Sequence, residues 1–231
     1  MKPFLLLLIS LCFSPGASAQ SAPEALQLLR EVNQRFSRVK DYQADALIDA
    51  RISFLKILPQ KARVYFKQPD KFRLKSKGIA ILPRQGFDQL FRLTANENDF
   101  IAFISGTETL EGSLTTLVNV IPRADTSDLV LAKLWIDTNR DLILKSQLTT
   151  RSNGTIVIDY SHGSHSEYAL PDQAVFTVEV KKFKIPKAVT ADINSSASVK
   201  PAGKEPKTGK IIIRFTNYSI NRGVPEEIFL K

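Results

Sequence analysis

The sequence predicts an α+β fold that is mainly antiparallel β, and three patterns support this. Residues 42–54 alternate between apolar and polar side chains with Leu47 as the exception, which is the pattern of one long strand. Shorter alternating runs follow along the chain and are separated by turn residues. Apolar residues at helical spacing come before the long strand and again near the middle of the chain, so we expect helices beside the sheet.

The long strand at 42–54 has one face made entirely of apolar residues. A shift of the pairing register by one residue would expose all of them, so the register should be well determined. Three of them are alanines, whose small side chains leave room for a helix or a ligand to lie close. The face consists of Tyr42, Ala44, Ala46, Ile48, Ala50, Ile52 and Phe54.

Residues 1–19 have the features of a secretory signal peptide. Lys2 supplies the positive start, residues 4–13 are an apolar run, and residues 17–19 form a small-residue cleavage site. The apolar run is too short for a stable membrane anchor. We therefore expect a single domain over residues 20–231 that is soluble in the periplasm or another extracytoplasmic space after cleavage.

Charge and cysteine content narrow the classes of partner. The formal net charge is +9, and a basic exported protein tends to meet anionic surfaces, including membrane headgroups. The alternative is an ordinary solvated basic surface. No motif for nucleic acid is present, so no nucleic-acid partner is expected. Cys12, the one cysteine, lies in the signal segment, so the mature chain should have no disulfide and no cysteine metal site.

The first element of the mature chain is a predicted helix over residues 22–39. Pro23 suits the first turn, and apolar residues recur at intervals of three and four positions. Because the long strand follows at once, this helix can fold back onto the strand's alanine face. The stripe consists of Ala25, Leu28, Leu29, Val32, Phe36 and Val39.

The middle of the chain is predicted to alternate between strands and turns. The predicted strands are residues 61–67, 71–77, 89–94 and 100–104. Residues 107–121 differ, because their leucines and valines have helical spacing and Pro122 would end a helix. Their β-branched content opposes a helix, but the spacing favours a short amphipathic one between strands.

The last third of the chain is predicted to be a β-meander. Its strands are residues 129–136, 142–150, 155–160, 174–182 and 211–215, and Asn153-Gly154 is a tight-hairpin signal. Residues 184–210 are rich in Lys, Pro, Ala and Ser. This composition buries too little apolar surface to offset the entropy of ordering, so we expect a flexible loop that folding does not need.

The sequence offers no arrangement typical of an enzyme. His162 and His165 lie in one polar segment, and no convincing third metal ligand stands near them, so a loop between strands explains them better than a metal site. No phosphate-binding loop, nucleophile elbow or carboxylate pair stands out. We expect no catalytic residue, no metal and no cofactor.

Several strands have large apolar residues on both faces, which leaves two interpretations open. One face could pack on the helices and the other on a second sheet, giving an ordinary closed core. Alternatively the sheet could be an open barrel with an apolar cavity, and such cavities bind apolar ligands. The strands concerned lie at residues 129–136, 142–144 and 211–213.

The order of elements resembles the LolA-type superfamily of periplasmic lipoprotein carriers and outer-membrane lipoprotein-sorting proteins. The resemblance depends on a signal peptide, a helix, a long strand and then residues 65–73, with their strand, proline, aromatic residue and strand. Residues 134–137, 170–172 and 175–176 also resemble the family. It implies an unclosed, curved half-barrel whose concave apolar face lies under a helical lid, with acyl chains bound between them.

The resemblance also implies a function and a set of binding residues. The protein would be an extracytoplasmic carrier or binder of lipoproteins or other lipids; the alternative is an envelope protein on the same fold that senses lipid and signals to a membrane-protein partner. We expect a monomer. The expected cavity wall is Phe66, Phe72, Leu134 and Ile136, and the expected lid contacts are Leu110, Leu114, Leu117 and Val118.

Overall fold

A computed structural model describes residues 22–52, 55–56, 58–76, 94, 96–179 and 208–230. These residues form one α-helix, eleven strands and three short 3₁₀ turns. The helix is α1 (Pro23–Ser37). The strands are β1 (Asp41–Ile52), β2 (Leu55–Lys56), β3 (Gln60–Lys67), β4 (Lys71–Ser76), β5 (Phe100–Leu110), β6 (Ser113–Pro122), β7 (Leu129–Asp137), β8 (Leu142–Thr150), β9 (Gly154–Ser161), β10 (Gln173–Glu179) and β11 (Thr208–Ile220).

The strands form a single antiparallel sheet in the order β4-β3-β1-β11-β10-β9-β8-β7-β6-β5, with β2 paired to β1 alone. The strands β4 and β5 follow one another in sequence yet form the two opposite edges, so the sheet is curved and unclosed. The predicted fold class, an unclosed, curved and mainly antiparallel half-barrel with an N-terminal helix, is confirmed, but the segment predicted to form its helical lid is a β-hairpin. Since β11 lies beside β1, the end of the chain completes the middle of the sheet.

The register of β1 is the one that its alternation predicts. Ile48 lies opposite Gln60 of β3 and Ile213 of β11, and the apolar even positions from Tyr42 to Ala50 are buried. Ile48 is 2% exposed and Ala46 is 4% exposed. The odd positions lie on the other side, where Asp45 forms an ion pair with Arg63.

Following the register of β1 across the sheet defines two faces, which we call the inner and the outer face. The inner face carries the even positions of β1 and the residues aligned with them in every other strand of the main sheet. Most of its apolar residues form one buried cluster with α1. Its largest fully buried members are Phe100, Ile48, Leu134, Ile136, Leu148, Ile156, Ile158 and Ile211.

The helix α1 lies against the inner face through the stripe that the sequence predicts, with Ala25, Leu29, Val32 and Phe36 buried. Its first turn is joined to β5, since Ala22 N donates to Ala102 O at 2.9 Å. Its last turn is joined to the other side of the sheet, where the side chain of Gln68 donates to Ser37 O at 3.0 Å. The helix thus reaches from one side of the half-barrel towards the other.

The predicted helix at residues 107–121 is wrong, because this segment lies in the hairpin of β5 and β6. The turn is Leu110 to Ser113, in which Glu111 has φ 49° and Gly112 has φ 84°. Two successive positive φ values match the twist of a two-residue hairpin, and glycine accepts this backbone at little cost. The β-branched residues around Val118 fit the strand better than a helix.

Other predicted boundaries differ in smaller ways. The closing strand β11 starts at Thr208, so residues 208–210 of the predicted loop belong to a strand. The rest of that loop, the signal segment 1–19 and residues 89–93 lie outside the described residues. Thr94, predicted as the end of a strand, is helical.

We predict that charges on the two faces of β1 have very different effects on stability. Ala46→Lys or Ile48→Asp places an unpaired charge in the apolar cluster and should lower the free energy of unfolding by at least about 3 kcal/mol. Gln43→Lys, on the exposed outer face, should change it by less than about 0.5 kcal/mol. Urea unfolding of the three variants checks this, and equal losses on both faces would contradict the register.

Candidate functional site

The concave inner face is the candidate site, because it is the part of the described fold where an apolar ligand could be enclosed. It is lined by strands from both edges and partly occupied by α1. Across the described strands, the positions that the register places on this face include no Asp, Glu, Lys or Arg. A lining without formal charge suits a hydrocarbon and disfavours a charged ligand.

The four predicted wall residues all lie on the inner face. Leu134 and Ile136 are 0% and 1% exposed, and they pack in the same cluster as α1. Phe66 is buried between Phe36 of α1, with ring centroids 5.3 Å apart, and Tyr42, at 5.4 Å. Phe72, directly opposite Phe66 on the edge strand β4, is 38% exposed.

The four predicted lid residues do not share one face, because they lie on strands rather than on a helix. Val118 is fully buried on the inner face opposite Leu134. Leu114 also lies on the inner side by its register and is 61% exposed. Leu117 lies on the outer face opposite Trp135, and Leu110 lies at the hairpin turn.

On the outer face beside Leu117, Trp135 packs between two charged side chains. The indole Nε1 of Trp135 donates to Oε2 of Glu108 at 2.6 Å, and the Nζ atom of Lys145 lies 5.1 Å from the centre of the Trp135 ring. These contacts bury Trp135 on the side away from the concavity. Leu117, which lies opposite Trp135 on this side, is therefore not a lid contact.

Exposed apolar side chains remain on the inner face at the two sides of the opening. On the β4 side Phe72 is 38% exposed and Leu74 is half-buried. On the β5–β6 side Ile104 is 39% exposed and Leu114 is 61% exposed. Sequence reasoning missed Ile104, although Phe100, Ala102 and Ile104 alternate as an inner-face series. The apolar lining thus continues from the buried cluster to the rims.

Ser146 and Tyr160 form a buried polar pair within the apolar lining. The hydroxyls of Ser146 and Tyr160 lie 3.0 Å apart on the neighbouring strands β8 and β9, and both residues are buried. Burial raises the pKa of Tyr160, so its phenol stays protonated. A protonated, hydrogen-bonded phenol is a structural partner rather than a nucleophile.

The two histidines lie at one end of the sheet, in the connection between β9 and β10. The ring nitrogens of His162 face two backbone carbonyls, Ile143 O at 3.0 Å and Leu170 O at 3.4 Å. His165 lies against the ring of Tyr218, with ring centroids 4.8 Å apart. Within the described ranges no group of three or more His, Cys, Asp or Glu residues is placed to hold a metal ion.

The same architecture occurs in solved structures of bacterial proteins. A putative outer membrane lipoprotein-sorting protein domain from Vibrio parahaemolyticus superposes with a TM-score of 0.61 at 10% identity, covering 89% of this chain and 96% of the other. A LolA superfamily protein from Nitrosomonas europaea gives 0.58 at 10% identity, covering 90% and 97%. The fold is that of the LolA superfamily.

A third structure with the LolA-type architecture is a DUF1329 family protein from Desulfovibrio piger ATCC 29098, with a TM-score of 0.60 at 10% identity over 91% of this chain and 97% of the other. No protein-family model matches the sequence, and no curated protein is similar to it in sequence. At such identities the similarity concerns the fold. None of the helices in the described residues is long and apolar enough to cross a membrane.

We predict that His162 makes the stability of the LolA-type fold depend on pH. Burial lowers the pKa of His162 below its ordinary value of 6.5, so the unfolded chain binds a proton more readily than the folded one. The stability that neutral His162 provides is therefore present above about pH 6.5 and is lost as the pH falls below it.

Urea unfolding at about pH 7.5 and about pH 5 measures this loss. His162→Gln keeps a side-chain N–H but cannot be protonated, so the variant should lose less stability over the same interval. The exposed residue Lys40 offers a control, because Lys40→Gln should leave the pH dependence of the wild type unchanged. An equal loss in wild type and His162→Gln would assign the pH dependence to other groups.

Proposed function

We propose that this protein binds the acyl chains of lipoproteins or of other lipids on the concave inner face and carries them through the extracytoplasmic space. The observation that carries the proposal is the uncharged apolar lining, which extends from the buried cluster to exposed side chains at both rims. An acyl chain needs such a lining, because it offers no group for ion pairing or hydrogen bonding.

The position of α1 fits this proposal. The helix covers part of the inner face and leaves Phe72 on one rim and Ile104 and Leu114 on the other accessible to solvent. Apolar residues are more stable when they are removed from water. Exposed apolar groups that border a concavity are therefore typical of ligand-binding grooves. A bound hydrocarbon would cover them and extend the apolar cluster outward.

Two further observations support the carrier role. The signal-like segment at residues 1–19 is expected to direct export of the chain, and a carrier of lipoproteins would act outside the cytoplasm. The structures with the LolA-type fold include a putative outer membrane lipoprotein-sorting domain, which makes lipoproteins and their acyl chains the first ligand class to test.

The test compares two neighbouring residues of β5 that differ in face but not in exposure. Ile104 lies on the inner face and Phe103 on the outer face, and each is 39% exposed. We predict that delipidated wild type binds a fluorescent fatty-acyl probe with a Kd in the micromolar range or below. Ile104→Glu should weaken binding at least tenfold, because the acyl chain would have to desolvate a carboxylate.

The matched control is Phe103→Glu, which adds the same charge one residue away and should bind the probe within about twofold of wild type. Circular dichroism and thermal unfolding of both variants show that the fold is retained. The proposal fails if the delipidated wild type shows no saturable binding. It also fails if Phe103→Glu weakens binding as much as Ile104→Glu, since the inner face would then not be the site.

A further inference from the structure

Among the described strands of the main sheet, the basic residues are concentrated on one part of the sheet. The four adjacent strands β4, β3, β1 and β11 contain nine Lys and Arg residues and three Asp residues. The six strands from β5 to β10 contain two Lys residues and four acidic residues. An even distribution of charge over a soluble protein would not produce this difference.

The pairing register places all nine of these cations on the outer face. For example, Lys75 of β4 lies opposite Arg63 of β3, and Arg63 lies opposite Asp45 of β1. All three residues are therefore on the outer face. Lys210 and Arg214 of β11 lie opposite Arg51 and Leu47 of β1. We call this set the basic face; its members are Arg51, Lys61, Arg63, Lys67, Lys71, Arg73, Lys75, Lys210 and Arg214.

Ion pairs neutralise only part of the basic face. Arg63 is paired with Asp45 at 2.9 Å, and Arg51 with Asp49 at 2.8 Å. Lys67 and Lys71 share the carboxylate of Glu226, which lowers the pKa of that carboxyl to about 2. Among the described residues, the other five cations have no acidic partner within ion-pair distance. They are Lys61, Arg73, Lys75, Lys210 and Arg214.

We propose that the basic face docks this protein on a membrane surface rich in anionic phospholipid. The cations are spread over four neighbouring strands, which together span about 15 Å, rather than gathered in a cleft. Phospholipid headgroups offer negative charge at any lateral spacing, so a broad array of cations can meet them without a specific fit. The inference depends on the outer face alone and stands independently of whether the inner face binds lipid.

The basic face and the inner face lie on opposite sides of the same strands, so a membrane bound to the basic face would not cover the inner face. Arg73 on the outer side and Phe72 on the inner side are neighbours on β4. A protein held by the basic face would keep the β4 rim of the concavity close to the membrane. The concavity itself would remain unblocked by the contact.

The experiment measures partition of the purified protein onto vesicles by flotation. We expect binding to phosphatidylcholine vesicles that contain about 30% phosphatidylglycerol, no binding to pure phosphatidylcholine, and loss of binding as salt is raised from about 0.05 M to about 0.5 M. The triple variant Lys61→Glu/Lys75→Glu/Arg214→Glu should weaken partition at least tenfold, since each cation near an anionic surface contributes to attraction.

The matched control is Arg38→Glu/Lys40→Glu/Arg222→Glu, which alters three exposed cations outside these strands and changes the net charge equally. It should reduce partition by less than about threefold. Equal losses in the two variants would mean that net charge alone drives binding, and absence of wild-type binding to anionic vesicles would refute membrane docking. Binding of an acidic protein or soluble polyanion with no vesicle binding would also overturn it.

The fatty-acyl probe separates this proposal from the function proposed for the inner face. The basic-face variant should bind the probe in solution as tightly as wild type, because none of its changes is on the inner face. Failure of vesicle binding with intact probe binding would refute docking alone. Failure of probe binding with intact vesicle binding would refute the acyl site alone.

Discussion

The packing of α1 into the concave face is the contact on which the rest of the architecture depends. An unclosed sheet leaves an apolar interior that must be covered, and α1 covers it with Leu29, Val32 and Phe36. The strand that the helix contacts most is β5, where Ala102 is small and its carbonyl oxygen accepts from Ala22 N at 2.9 Å. Most of the stabilisation should come from this apolar burial, at about 25 cal/mol for each Å² removed from water.

Polar contacts then fix where α1 lies without supplying much of the stability. Arg35 pairs with Asp141 in the turn between β7 and β8 at 2.7 Å, and both side chains are about a quarter exposed. Arg30 pairs with Glu97 before β5, where both groups are well exposed and solvent screens the attraction. Asn33 exchanges two hydrogen bonds with Thr94. These contacts join the helix to the segment before β5 and to the turn between β7 and β8.

The period of two in each strand separates two kinds of chemistry onto opposite faces. In β3, Val64 and Phe66 enter the apolar cluster, while Lys61 and Arg63 lie outside. A one-residue slip would bury the cations and expose the apolar residues, so the same constraint determines both faces. The lining without charge and the basic face are therefore two consequences of one register, and neither can change without the other.

How far the sequence predicted the fold can be judged from particular segments. The β1 alternation and the α1 stripe were strong enough to predict both the register and the packing. Residues 107–121 were predicted as a helix because Leu110, Leu114, Leu117 and Val118 happen to have helical spacing. The better signal was the Glu111-Gly112 turn between two runs of β-branched residues, and it determined the structure. Because the predicted helix is a hairpin, the predicted lid site is also absent from this segment: its residues fall on both faces of the sheet.

The four residues predicted for the wall share one face of the sheet and the four predicted for the lid do not, for a physical reason. A strand residue has only two faces available, and resemblance to a known order of elements is enough to select strands near the interior. Exposure at the rims, by contrast, depends on which strands become edges. The sequence does not reveal that β4 and β5 are the two edges, because this follows from the pairing of β11 with β1, which are distant in sequence and join the two parts of the sheet. The alternation in β5 could indicate the face of Ile104, but its exposure at a rim could be recognised only from the structure.

The difference in strength between the apolar and polar contacts of α1 suggests how a ligand would enter. Displacing α1 would expose Leu29, Val32 and Phe36 together, at a cost of about 1.5 to 3 kcal/mol for each large side chain. Covering Phe72, Ile104 or Leu114 requires no such exposure, because these residues already face solvent. Entry of the ligand from the rims therefore costs less free energy than displacement of α1. We expect α1 to keep its position on the inner face while the ligand packs beside it.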